Sequence, residues 1–136
     1  MNINVKEFIE DAIDIIESED WLLLFTLWYD KYSMFDANQD RLQLTELFNT
    51  LSEAGLGDIK AQSYEARKQI IVKHIMDYID DLTLDGEEYI NMVGCLNSLG
   101  SRLCLGLLEL KQIFIDTCES RGLKATGSVK SQFKLK

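Results

Sequence analysis

Two acidic stretches hold most of the side chains in this chain that could do chemistry. In the first, Asp36-Ala-Asn38-Gln-Asp40, three oxygen-bearing residues stand at alternate positions. That is the spacing of the opening ligands of an EF-hand loop, where hard oxygen atoms suit calcium. The rest of the loop departs from the pattern. Position six, which needs glycine for its bend, is Arg41, and position twelve, which needs a bidentate glutamate, is Leu47, with Glu46 one residue early. The expected role is therefore a solvated connection whose acids favour the start of the following helix. The second stretch, Asp77-Tyr-Ile-Asp80-Asp81-Leu-Thr-Leu84-Asp85-Gly-Glu87-Glu88, departs further from a calcium loop.

His74 is the only histidine. It shares a helical pattern with Asp77 and Asp81 at i, i+3 and i+7, a spacing that places side chains in one row. Two carboxylates and one imidazole make a thin set for zinc, so His74 reads as a boundary residue. Cys95, Cys104 and Cys118 are the candidate nucleophiles, and nothing local marks any of them as activated. Gly55-Leu-Gly57-Asp58 lacks the lysine of a phosphate loop. The residues imply no catalysis, no metal and no cofactor.

The elements that must carry these residues are helices. The chain has 136 residues, 46% of them apolar, and no proline, which suits helices joined by glycine and polar turns. Val5, Phe8, Ile9, Ala12, Ile13 and Ile16 predict a helix over Val5–Glu17, with Asn4 and Glu7 as a capping pair. A second helix follows Ser18. It is apolar on nearly every face through Trp21-Leu-Leu-Leu-Phe25-Thr-Leu27-Trp28-Tyr29, and it ends near Phe35. Leu44, Leu47, Phe48 and Leu51 mark a third, stopped by Gly55. A fourth spans Asp58–Ile79. A fifth opens at Asp85 with Glu88 in a capping box, buries Ile90, Val93, Leu96 and Leu99, and stops at Gly100. A sixth spans Arg102–Ser120. The expected fold is all-α: a compact bundle of about six helices built around two helix–acidic turn–helix units. Residues 1–122 form one helical domain. Residues 123–136 are expected to be a flexible basic tail, removable without loss of the fold.

The second stretch also resembles a known family. Asp81-Leu-Thr-Leu84-Asp-Gly-Glu-Glu88 is similar to the acidic turn of TerB-like domains, the all-helical modules of tellurite-resistance and related bacterial stress or defence systems. In that turn an Asp precedes a Leu or Ile by three residues and a helix-opening Glu by seven. Asp81, Leu84 and Glu88 match it, and the next helix ends in Leu99-Gly100. The family has glycine where Leu82 stands, and the first stretch does not keep the spacing. The resemblance covers the layout from Trp21 to Gly100, and in motif only the second turn. It implies a stress-response module that binds a divalent cation at its acidic turns and works in an assembly rather than in catalysis.

Charge and aromatic placement point to a partner. The net charge is −9, and the last acid is Glu119, so the body up to Glu119 stands near −14, with 23 acids and 9 bases. Such a body repels phosphates, which excludes direct nucleic-acid binding and favours a basic protein partner. Trp21, Phe25, Trp28, Tyr29, Tyr32 and Phe35 gather on one helix. Most belong to the core, while Tyr29 and Tyr32, near Asp30 and Asp36, form a candidate exposed edge. The candidate partner-binding residues are thus Asp36, Asp40, Tyr29, Tyr32, Asp81 and Glu87. The cysteine pattern excludes a disulfide framework and suits a reducing interior. The N-terminus lacks a signal-peptide pattern, and no apolar run approaches the roughly 20 residues that span a bilayer, so the expected location is cytoplasmic. The function these features suggest is a non-catalytic inhibitor or immunity factor, bacterial or phage in flavour. The TerB-like module is the alternative.

Overall fold

A computed structural model describes residues 3–34, 36–97 and 99–135. They group into two compact units. One is the chain up to Ile70 together with Ser101–Cys104; the other is Ile71–Gly100 together with the chain from Leu105 on. Both are mainly helical, as the apolar periodicity predicts. Among the described residues, no helix is long and apolar enough to cross a membrane.

The first unit opens with α1 (Ile3–Asp11) and α2 (Ile13–Glu17). The single helix expected here breaks at Ala12, whose φ/ψ of −106°/14° leaves the helical basin. The apolar stripe survives the break: Val5, Phe8, Ala12 and Ile16 are all buried. Asn4 is not a cap. It lies inside α1 and donates to the Tyr32 carbonyl at 3.1 Å and to Gln43 Oε1 at 2.7 Å. Asp20 caps α3 (Trp21–Leu27) by accepting from the Leu23 N–H at 3.2 Å. Leu24, Phe25 and Trp28 are buried, but Leu22 and Leu23 are exposed, so this helix is not covered on every side. It passes into a π-helical turn, Trp28–Tyr32, closed by the Ser33 N–H on the Trp28 carbonyl at 2.8 Å. The wider turn brings Trp28 and Tyr32 to the same side, their rings near parallel at 6.5 Å, with Phe8 edge-on to both. The expected end near Phe35 lies outside the described residues.

Asp36 caps α4 (Ala37–Leu51), accepting from the N–H groups of Asn38 and Gln39 at 3.1 Å each. Leu44, Leu47, Phe48 and Leu51 face inward as their spacing predicts. A second π-helical turn, Ser52–Leu56, contains Gly55 at φ 94°, a left-handed backbone that glycine adopts without strain. Asp58 caps the short α5 (Ile59–Gln62), and α6 (Tyr64–Leu84) follows. The fourth helix expected from the sequence is therefore two elements separated at Ser63.

In the second unit α6 contributes Ile71, Ile75 and Ile79 to the core. No helix opens at Asp85. Glu87 and Glu88 lead instead into β1 (Tyr89–Asn91), followed by α7 (Met92–Leu96), α8 (Leu99–Arg102) and α9 (Leu107–Ser120). The expected capping box at Asp85 and Glu88 is thus replaced by a strand entry, and Gly100 lies within α8. Ile90, Leu96 and Leu99 are buried, but Val93 is 76% exposed, because the strand and short helices break the long period assumed for this stretch.

The segment after Leu123 differs most from expectation. It forms β2 (Lys124–Ala125) and β3 (Gln132–Lys134), and β3 lies between its two antiparallel partners in the order β1–β3–β2. Phe133 sits opposite both Ile90 and Ala125. Its ring is fully buried, edge-on to Phe114 at 5.7 Å, and Leu135 is buried beside the strand end. The flexible tail is therefore corrected for these residues. Phe133-Lys134-Leu135 alternates with the two-residue period of a strand, so one face is apolar. Burial of its two large side chains offsets the entropy of ordering the segment. Lys136 lies outside the described residues.

Candidate functional site

The six candidate partner residues separate once they are folded. Asp40 is fully buried, not part of an acidic surface. Its Oδ2 accepts from Ser33 Oγ at 2.8 Å and its Oδ1 from the Met34 N–H at 2.7 Å. Arg102, also buried, brings Nε to 3.8 Å from Asp40 Oδ2 and donates to Ser33 Oγ at 2.9 Å. The same guanidinium lies over the Tyr29 ring, 4.4 Å from its centroid. Asp40 is thus the anchor for the Ser101–Cys104 segment inside the first unit. Both its oxygens face protein donors, while Asp36 points outward as a helix cap, so the two do not converge as loop ligands.

Tyr32 is also corrected. Its ring is buried, and its hydroxyl donates to the Asp11 carboxylate. That hydrogen bond, helped by burial, raises the phenol from 10.0 to about 12. Tyr29 is half-buried beneath Arg102, so the pair does not form an open aromatic edge. Asp36, Asp81 and Glu87 are exposed. Asp81 lies in the last turn of α6 rather than in a loop. Acids there oppose the helix dipole, and the Arg121–Asp80 ion pair at 2.6 Å offsets part of that cost.

In the second unit, His74 Nε2 donates to the Cys95 carbonyl at 2.8 Å, and its ring stacks on Tyr78. Among the described residues, no three His, Cys, Asp or Glu side chains gather into a set able to hold a metal ion. The three cysteines are free thiols. Burial raises Cys95 from 9.0 to about 12, and nearby Cys118 contributes. Cys118 is likewise raised to about 12 by burial. Cys104 is raised by burial too, but Arg67, Lys60, Thr45 and Arg41 oppose the shift. Alkylation of the native protein at about pH 8 should therefore label Cys104 first. A thiol held three units up is on the order of 10³-fold poorer in thiolate, so Cys95 and Cys118 should react only as denaturant opens the fold. The stability contribution has a definite sign. These raised groups ionise more readily in the unfolded chain, so their contribution is intact below pH 9.0 and is lost as pH climbs toward about 12. Equal native labelling of all three cysteines would contradict this.

The surface that sequence reasoning missed is at the N-terminal end. Glu7, Glu10, Asp11, Asp14, Glu17, Glu19 and Asp20 are all exposed, and Lys6 is the one base between residues 3 and 20. The signal was available. Glu7, Glu10, Asp14 and Glu17 step by three or four residues and fill the face opposite Val5, Phe8, Ala12 and Ile16. Exposed Ile13 lies among these acids in the chain, and exposed Leu22 and Leu23 follow them directly. Dense acids with interspersed aliphatics can attract a basic surface and then bury apolar area against it.

No protein-family model matches this chain, and no curated protein or solved structure matches it.

Proposed function

We propose that this protein is a non-catalytic acidic binding protein that docks on a basic protein target, an inhibitor or immunity-type factor of bacterial or phage kind. The observation that carries this reading is the run of seven exposed acids from Glu7 to Asp20, with exposed Ile13 within it and exposed Leu22 and Leu23 just after it. Exposed Asp36, Asp81 and Glu87 extend the negative surface of their own units. Charge of one sign steers a basic partner and speeds encounter, and the aliphatic side chains supply contacts that slow release.

The test begins with capture from the source cell, comparing the wild-type chain with a Glu10→Lys, Asp14→Lys variant. These two side chains make no hydrogen bond or ion pair within the described structure, so reversal should leave the fold intact. The expected partner is a basic protein held by wild type and lost by the variant. With that partner purified, the reversal should lower the association rate by roughly tenfold or more and change dissociation less. The wild-type rate should fall as salt shortens the Debye length from about 10 Å toward 3 Å. A partner bound equally by both proteins at every salt concentration would refute the acidic face as the docking surface.

A further inference from the structure

The small sheet has two unlike faces. Ile90 and Phe133 point inward and are fully buried. The row beside them, Tyr89 opposite Lys134 and Lys134 opposite Lys124, is exposed across all three strands. The next outward positions form an amide and hydroxyl ladder: Gln132 Nε2 donates to Asn91 Oδ1 at 2.9 Å, and Thr126 Oγ1 donates to Gln132 Oε1 at 2.9 Å. Lys124 and Lys134 are direct cross-strand neighbours, where like charges repel. Among the described residues, neither lysine is ion-paired. Two further cations described in this stretch are paired: Arg121 with Asp80 at 2.6 Å and Lys130 with Glu119 at 3.4 Å.

We propose that this Tyr89–Lys134–Lys124 face docks the acidic α1–α2 face of a second copy of the chain. The occupant follows from charge complementarity. The chain itself displays a stripe of matching sign, Glu7, Glu10, Asp14 and Glu17, with Ile13 46% exposed among them to meet the Tyr89 ring, which is 42% exposed. Close pairing of the two lysines with these acids relieves the cross-strand repulsion. At a Debye length of about 10 Å the general repulsion between two copies of net charge −9 is screened more than contacts at ion-pair distance. The scale sets the strength. Three strands span only about 10 Å, against about 22 Å for the α1–α2 stretch, so the contact is smaller than the roughly 800 Å² per partner of a standard interface. It is a weak, salt-sensitive association in which unlike surfaces meet. This goes beyond the basic target proposed above, which would compete with it for the acidic face, and its test requires no such target.

Sedimentation equilibrium of the full chain tests it at about 0.1 M and about 1 M salt, where the Debye length falls from about 10 Å to about 3 Å. The average mass should rise with protein concentration at the lower salt and return to the monomer at the higher. Neutralising the sheet face, with Lys124→Gln and Lys134→Gln, should weaken association at least tenfold. Neutralising the helix face, with Glu10→Gln and Asp14→Asn, should do the same. An equimolar mixture of the two variants retains one intact pair of faces and should form 1:1 pairs, which also shows that both variants are folded. A wild-type chain that stays monomeric up to millimolar concentration overturns the proposal. So does either neutralised variant associating as wild type does, or a mixture that stays monomeric while the wild type associates.

Discussion

Asp40→Ala should destabilise the first unit by about 3–5 kcal/mol, the range for removing one partner of a buried ion pair. The carboxylate is fully buried and accepts from Ser33 Oγ and from the Met34 N–H. Its removal leaves the Arg102 guanidinium in a desolvated site with its counter-ion gone. The comparison with Asp36→Ala is informative because both residues belong to the same acidic stretch. Asp36 is exposed and only caps α4, so its loss should cost about 1 kcal/mol. Urea unfolding of the two variants measures the difference directly. Arg102→Ala should add less in an Asp40→Ala background than alone, since the two side chains act as a pair. Equal, small losses at both aspartates would mean that Asp40 is solvated and that Ser101–Cys104 is held by other contacts.

Phe133→Ala should cost the second unit about 3–5 kcal/mol, the range for a large aromatic removed from a core. The ring is fully buried in the fold, edge-on to Phe114. Lys134→Ala, one residue on and facing outward, should stay within about 0.5 kcal/mol. Truncation after Gly122 should be at least as damaging as Phe133→Ala, because it also removes Leu135 and the central strand. Thermal unfolding of the three proteins decides the matter. If truncation leaves the melting temperature unchanged, the last residues are a tail after all and β1 does not depend on β3.

Much of the architecture is local, and local patterns were readable in the residues alone. Val5, Phe8, Ala12 and Ile16 share one face whether or not the helix breaks at Ala12, since the period belongs to the helical backbone. Leu44 to Leu51 and the isoleucines of α6 follow the same rule. The acidic residues at the starts of α3, α4 and α5 are caps because an exposed N–H group within two or three residues needs an acceptor, a requirement met within a single turn. Gly55 ends its helix for an equally local reason. The alternation at Phe133-Lys134-Leu135 was equally readable, and was hidden only by the lysines around it.

What tertiary structure alone decided are the pairings between distant residues. Asp36 and Asp40 look alike in sequence, and both are acids at the start of one helix. Asp40 falls on the buried face of α4, and the return of Arg102, whose guanidinium meets Ser33 from 69 residues away, brings it a counter-ion there, while Asp36 stays in water. Tyr32 looked like half of an exposed edge until Asp11, 21 residues earlier, took its hydroxyl. Glu88 would open a helix by its spacing, but the N–H of Leu135 bonds to its carbonyl and the chain continues as a strand. Composition settled the sign of the charge and the helical class, because those are sums and periods along the chain. Which distant residue pairs with a buried polar group is settled only when the chain closes on itself, and no local pattern carries that information.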